Sequence, residues 1–336
     1  MNLDLSTLDN VHRLLFEIPL VPLQGRRFQP TGFPSLGAAT FQTPAGTSLL
    51  VESPQSMANR LELTCWDEAK QDLKPDLEGI SHVKVLRNGA FLTDSILESH
   101  RLNSPYILAN SNKQFFNEIK RELAVVEAGP IDRHRLSEVL LRYDVGSLIH
   151  GVFLEKIGGR LRVARALSSF IEADGVRVAP SGGVKNDHVN PSGDTRAGFG
   201  NVPFPRDEYT AERITLYVNL DLVQLRGYGL GAEALKLLIL LALYKLRALL
   251  DADLRLRTAC DFALADGRVV ATTPAGFELP SLEVLVEALK PAIAGCRNRM
   301  TVREVVFNDK LKKGKQPKEL EPADGADDVQ DTEDEE

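Results

Sequence analysis

The sequence predicts an α+β fold, on three observations. Period-two strand patterns and 3.6-period helix patterns are interspersed, without the strict strand–helix alternation of a parallel sheet. One stretch, Gly231 to Leu250, is apolar almost all round and must be buried. The 336 residues, 43% hydrophobic and 26% charged, can enclose a sizeable core, the size of one large domain with insertions or of two smaller ones.

Taken in order, the apolar run from Leu14 to Leu23, interrupted by Pro19 and Pro22, reads as a buried or edge strand leading into the turn-rich stretch Gly25 to Gly37. Ser53 before Pro54 supplies an N-cap and a first helical residue, and Met57, Leu61 and Cys65 continue at helical spacing to Trp66. Val83, Val85 and Phe91 flank Asn88-Gly89, whose tolerance of positive φ makes a type I′ hairpin. Two amphipathic helices follow, Ser111 to about Val126 with Phe115, Ile119 and Leu123, and Asp132 to Tyr143 with Leu136, Val139 and Leu140. Ile149 to Leu154 reads as a strand that turns at Gly158-Gly159 and returns through Arg160-Leu161-Arg162-Val163, both arginines on one face.

Residues 175–205 mix Gly175, Gly182, Gly183, Gly193, Gly198 and Gly200 with Pro180, Pro191, Pro203 and Pro205, too many breakers for a core element. A stretch this long is usually functional or disordered. Ile214 to Leu225 alternates as a strand, the buried helix follows, and Leu254 to Leu264 gives another strand. Pro280-Ser281 opens a last helix with Leu282, Leu285, Leu289 and Ile293, and Val302 to Phe307 closes the sheet. No internal repeat is present.

The net charge of −7 is unevenly placed. Residues 319–336 hold ten acids and no base, and Lys310, Lys312, Lys313, Lys315 and Lys318 precede them, which leaves residues 1–309 at −2. Residues 310–336 therefore read as a disordered, lysine-rich then acidic tail. A nucleic-acid surface on the near-neutral body has to be local. Cys65, Cys260 and Cys296 form no C-x-x-C pair, so neither a disulfide framework nor a zinc-finger spacing arises, and a reducing cytoplasm fits best. The first residues, Met1 to Leu8, carry Asp4 and no basic flank before an apolar stretch, and the longest apolar run, Leu237 to Tyr244, is eight residues, against about 18 for a membrane span, so no secretory or membrane-spanning chain is expected.

Gly227-Tyr228-Gly229-Leu230-Gly231-Ala232 matches G-x-G-x-x-[G/A] between a predicted strand and helix. It reads as a phosphate cradle, a tight strand-to-helix turn or an RNA backbone contact. The acid a dinucleotide site needs on the next strand tip is poorly placed, since Asp251 and Asp253 fall just after the helix and Asp261 inside the strand. The six histidines show no close ligand spacing, so no local metal motif and no cofactor are expected. Asp187, His188 and Asp194 could still assemble a metal or hydrolytic cluster in the breaker-rich segment. No serine-hydrolase elbow or Walker A sequence occurs.

What remains is a set of arginines and amides. Arg26, Arg27, Phe28 and Gln29 combine two cations with a stackable ring, the residue types that grip a single strand. Gln55, Ser56, Asn59 and Arg60 fall in the first turns of the Pro54 helix, where free N–H groups favour a phosphate. The alternative for both groups is an ordinary solvated surface.

Several strings then form one resemblance: RFQPTGFPSLGAATF (Arg27 to Phe41), VESPQSMANRLE (Val51 to Glu62), HRLNSPYIL (His100 to Leu108), ALSSFIEADGVR (Ala166 to Arg177), SGGVKNDHVNPSGDT (Ser181 to Thr195), GFGNVPFPRDEYTAERIT (Gly198 to Thr215) and LRLRTACD (Leu254 to Asp261). Together they resemble the backbone subunit of type I-G (formerly I-U) CRISPR Cascade complexes, in the Cas-seven group of the RAMP superfamily, over about residues 11–265.

The resemblance implies an RRM-like, ferredoxin-type palm spanning 1–309, with inserted finger-like (about 67–130) and thumb-like (175–210) elements. Copies of the subunit line up along CRISPR RNA with other Cascade subunits and meet target DNA through the guide, away from membranes. The expected RNA-binding set comprises, from the residues themselves, Arg26, Arg27, Phe28, Gln29, Gln55, Ser56, Asn59, Arg60, Arg160 and Arg162, and, from the resemblance of the thumb and glycine-rich loop, Lys185, Asn186, Arg196, Gly227 and Gly229. No catalysis is expected. The alternatives are a metal-dependent RNA endonuclease like type III backbones, whose cutting aspartate maps onto no residue here, and a dinucleotide-binding enzyme.

Overall fold

The computed structural model describes residues 3–33, 37–108, 112–123, 132–157, 161–185 and 202–309. In chain order the strands are β1 (Arg13–Pro22), β2 (Gly32–Phe33), β3 (Gly37–Ala38), β4 (Thr40–Thr43), β5 (Gly46–Glu52), β6 (Trp66–Asp67), β7 (Asp72–Leu73), β8 (His82–Arg87) and β9 (Ala90–Asp94). They continue as β10 (Val152–Leu154), β11 (Leu161–Val163), β12 (Leu167–Asp174), β13 (Arg177–Lys185), β14 (Val202–Thr210), β15 (Arg213–Asp221), β16 (Leu254–Arg257), β17 (Cys260–Leu264) and β18 (Val302–Val306). The helices are α1 (Pro54–Leu63), α2 (Gln114–Glu122), α3 (Arg133–Tyr143), α4 (Val145–His150), α5 (Leu222–Gly227), α6 (Ala232–Asp251) and α7 (Leu282–Cys296).

Seven strands form the main sheet in the order β16-β17-β1-β15-β12-β5-β4, every neighbouring pair antiparallel. β1 is interior despite Pro19. The Pro19 carbonyl faces the β17 side, where it accepts from the Ala265 N–H at 3.0 Å, and the missing Pro19 N–H would face the same way, outside the Leu20–Pro22 stretch that pairs with β17.

Alternation gives the sheet two faces. Leu14, Phe16, Ile18 and Leu20 on β1, Ile214, Leu216, Val218 and Leu220 on β15, and Leu167, Ile171 and Ala173 on β12 point into the core. α1 packs on β12 and α6 on α1, and α6 is buried nearly all round as its composition requires. Each of its buried leucines contributes roughly 2 kcal/mol. The sheet curls, because Arg257 on β16 pairs with Glu52 at the end of β5 although four strands separate β16 from β5 in the sheet order.

Caps fall where the sequence puts them. Ser53 Oγ accepts from the Ser56 N–H at 3.3 Å, Asp132 Oδ1 from Arg135 N–H at 3.0 Å, and Ser281 Oγ from Val284 N–H at 3.5 Å. Asn88 and Gly89 take positive φ in the β8–β9 hairpin.

Four elements differ from the sequence reading. Ile149 ends a helix, α4, rather than opening a strand. The break follows at Gly151 (φ +79), where a Cβ would lie 2.7 Å from the Val163 carbonyl oxygen. The predicted strand to Leu225 stops at Asp221, whose side chain accepts from Gln224 N–H at 2.9 Å and starts α5. Leu254 to Leu264 is a hairpin, turned at Ala259 with φ 59. β18 does not close the main sheet but runs parallel to β8 in a separate three-stranded sheet, β18-β8-β9. β13 and β14 form an antiparallel hairpin, the form that the glycines and prolines of this stretch suit better than a core element. β5 and β12 have no counterpart in the sequence reading.

Among the described residues, no helix is long and apolar enough to cross a membrane.

Candidate nucleic-acid interface

At the β13–β14 hairpin, Arg26 and Arg27, expected from the sequence, come together with Arg206 of β14. Phe28 and Tyr209 exchange backbone hydrogen bonds, each 2.9 Å, which clips the segment carrying Arg26 and Arg27 to β14. Arg206 and Glu208, two apart on β14, share a face. The Glu208 carboxylate is 8% exposed and lies 3.1 Å from both Arg27 Nη1 and Arg206 Nη2. One buried carboxylate thus orders two guanidiniums and leaves an excess positive charge, to which the exposed Arg26 adds. The Arg206 Nε is buried with no hydrogen-bond partner. Sequence reasoning missed Arg206 and Glu208. The signal available was their i, i+2 spacing beside the breaker-rich segment.

Phe28 does not offer a stacking ring. It is 1% exposed and packs edge-on against Phe262, centroids 5.7 Å apart, because the Tyr209 bridge turns it into the core. Gln29 is held through its backbone, donating to the Ala259 carbonyl at 3.0 Å and accepting from Arg257 Nη1 at 3.0 Å.

Arg60 is also placed otherwise than expected. It lies in the last turn of α1, donates to the Arg255 carbonyl at 3.3 Å and to the Leu256 carbonyl, and has its Nε 3.5 Å from the Glu52 carboxylate. With Arg257 on the same carboxylate, it knots β5, α1 and β16 together and props the Gln29 backbone that carries Arg26 and Arg27. At the helix start, Gln55 is exposed, Ser56 and Asn59 are half-buried, and the Ser56 N–H is taken by the cap.

On the β10–β11 hairpin, Arg162 is exposed with its guanidinium 4.8 Å from the Phe153 ring centroid, and the two residues are register partners. An exposed cation over an exposed ring is a surface on which a base can stack. Phe153, 36% exposed, was not among the predicted residues, and cross-strand pairing was the signal for it.

The glycine-rich turn joins α5 to α6, so a helix stands where the dinucleotide fingerprint needs a strand. Gly229 (φ +69) brings the backbone against His134, whose Nδ1 is 3.2 Å from the Tyr228 carbonyl oxygen. The Leu230 carbonyl accepts from Arg299 at 2.8 Å. Gly227 has nothing within 4 Å of a Cβ position. Asp251 pairs with Arg247, one helical turn before it.

Arg160, Asn186 and Arg196, with Asp187, His188 and Asp194, lie outside the described residues, as does the side chain of Lys185. Among the described residues no group of three His, Cys, Asp or Glu side chains could hold a metal ion.

Residues 14–178 match the family model described as CRISPR-associated protein GSU0053. No curated protein matches the chain. Among solved structures, a chain of a "CRISPR RNA-guided surveillance complex, pre-nicking" is similar at 14% identity and a TM-score of 0.33, covering 70% of each chain. Across residues 14–178 the chain therefore matches a CRISPR-associated family, the one described as CRISPR-associated protein GSU0053.

Proposed function

We propose that this chain is a guide-RNA-binding backbone subunit of a type I CRISPR surveillance complex, of the type I-G kind, which polymerises along the guide in the cytoplasm and meets target DNA through it. The single observation that carries the reading is the match of residues 14–178 to a CRISPR-associated family. On this reading β17-β1-β15-β12, with α1 and α6 on one face, is the RRM-like palm, the segment around β8 and β9 is finger-like, and the β13–β14 hairpin is the thumb. Arg26, Arg27 and Arg206 then hold guide phosphates, and Arg162 with Phe153 holds a base. Such contacts grip the backbone without reading sequence, as a scaffold for variable guides must. The subunit works as a scaffold and needs no metal or cofactor of its own.

Expression with the other complex subunits, followed by sequencing of co-purifying RNA, tests this. CRISPR RNA of uniform length is expected, with head-to-tail assemblies that grow on RNA by light scattering. A closed dimer unchanged by RNA, with no RNA bound, would overturn it.

A further inference from the structure

On the face of the main sheet opposite the helices, Arg13, Glu17, Pro19 and Val21 of β1 are exposed, and the chemistry there is not that of the guanidinium cluster. Phe170 on β12 and Tyr217 on β15 are register partners, stacked with centroids 5.1 Å apart at 23°, both half-buried. Glu17 on β1 is the register partner of Tyr217 on its other side. Glu172, two residues beyond Phe170, stands on the same face. A row of Glu17, Tyr217 and Phe170 thus runs across three strands, with a second carboxylate diagonal to it.

The charges on this face do not cancel. Arg13 pairs with Asp221 at 2.8 Å, Arg213 with Asp174 at 2.7 Å, and the more loosely held Arg255 lies 3.9 Å from Asp261, so each guanidinium has its own acid. Glu17 and Glu172 have no hydrogen bond or ion pair among the described residues. Burial together with the nearby Asp174 raises the Glu172 pKa, the direction expected of a carboxylate lacking a counter-ion. Along β1 the same face shows Leu15, Pro19 and Val21, the last 44% exposed. An apolar strip therefore borders an aromatic pair flanked by two unpaired carboxylates.

We infer that this face docks a basic protein segment, one that lays apolar side chains along Leu15, Pro19 and Val21 and places a lysine or arginine over the Phe170–Tyr217 pair between Glu17 and Glu172. A ring face attracts a cation and the carboxylates neutralise it. A nucleic-acid strand would set phosphates against those carboxylates, and among the described residues each guanidinium of the face already has an acid beside it, so the occupant is protein. The inference goes beyond the proposed function and places a partner's contact on the side of the sheet away from the helices.

The test uses the full chain and a fluorescent peptide alternating lysine with leucine as probe. Glu17→Gln with Glu172→Gln is expected to weaken peptide binding about tenfold, and Tyr217→Ala comparably. Glu283→Gln with Glu287→Gln, which removes the same charge from exposed positions on α7, is expected to leave it unchanged. Equal loss in the α7 variant, or none in the Glu17/Glu172 variant, overturns the inference. Single-stranded RNA binding by the same proteins is measured in parallel. A wild type that fails to bind RNA sinks the proposed function and leaves the docking face standing, whereas RNA binding altered by Glu17→Gln and Glu172→Gln assigns the face to nucleic acid and overturns the docking inference.

Discussion

Arg257, on the strand at one edge of the main sheet, donates to the carboxylate of Glu52, which ends the strand next to the opposite edge. The carboxylate is 1% exposed and is shared with Arg60. Two arginines and one acid thus hold the curl, and they do so beneath the segment bearing Arg26 and Arg27.

Removing either arginine is expected to cost stability rather than RNA affinity. Arg257→Ala leaves a buried carboxylate short of a partner, a loss of about 3–5 kcal/mol. Arg60→Ala frees the carbonyls of Arg255 and Leu256 at the sheet edge and costs about 1–3 kcal/mol. Denaturant melts check both. An Arg60→Ala protein of unchanged stability but weakened RNA binding would return Arg60 to the interface.

Arg26, Arg27 and Arg206 replaced together by alanine are expected to weaken single-stranded RNA binding and to flatten its salt dependence by about 0.7 per lost phosphate contact. Phe153→Ala is expected to cost about tenfold in affinity with the salt slope intact, since a stacked base carries no counterion. Titrations at several salt concentrations separate the two. A Phe153→Ala effect on the slope, or a triple variant with the wild-type slope, would remove those residues from the guide path.

These contrasts mark what the sequence could carry. Local chemistry was legible: Ser53-Pro54, Asn88-Gly89 and the all-round apolar α6 each specify their structure within a few residues. Non-local pairing was not. Arg60 and Arg255 are 195 positions apart, and no local pattern tells a solvated arginine from one that caps a distant strand. Phe28 reads as a ring between cations until Tyr209 turns it inward. β12 alternates buried with half-buried residues over Leu167–Asp174, but Ser169 on the buried side and Phe170 on the other hide that period from the sequence.

Two buried groups on and beside α4 give opposite pH dependences. Burial pushes Asp144 up to about 6 from 3.8, while burial, reinforced by Lys245, Arg101 and Arg165, holds His150 well below 6.5. Folded Asp144 keeps a proton that the unfolded chain gives up, so stability falls as pH rises from 3.8 to about 6, by on the order of 3 kcal/mol. Folded His150 refuses a proton that the unfolded chain accepts, so stability is lost as pH falls below 6.5. Asp144→Asn is therefore expected to steepen the drop in melting temperature on acidification, and His150→Gln to make it shallower. Identical acid-side slopes in the two variants and the wild type would show that neither shift is real.

The scaffold and nuclease readings differ on a complementary RNA. Guide-bound protein is expected to leave it uncut in magnesium or manganese. Mg²⁺ needs only one or two protein carboxylates beside phosphate oxygens, so Asp187 and Asp194 are the acids to vary. Cutting at regular intervals that Asp187→Ala or Asp194→Ala abolishes would replace the scaffold with an endonuclease.

The glycine turn separates fold from contact within three residues. Gly229 has φ +69, and a Cβ there would sit 3.2 Å from His134 Nδ1, so Gly229→Ala is strained in backbone and crowded in side chain. It is expected to cost about 1 kcal/mol or more of stability. Gly227 sits at the end of α5 without positive φ and with open space at its Cβ position, so Gly227→Ala is expected to leave stability unchanged or slightly raised. Any effect of Gly227→Ala on RNA binding then reports a backbone that the RNA approaches too closely for a methyl group. A loss of about fivefold or more at unchanged melting temperature places the turn on the guide path. Wild-type affinity confines the turn to joining α5 and α6, because the one position free to meet RNA would then not meet it.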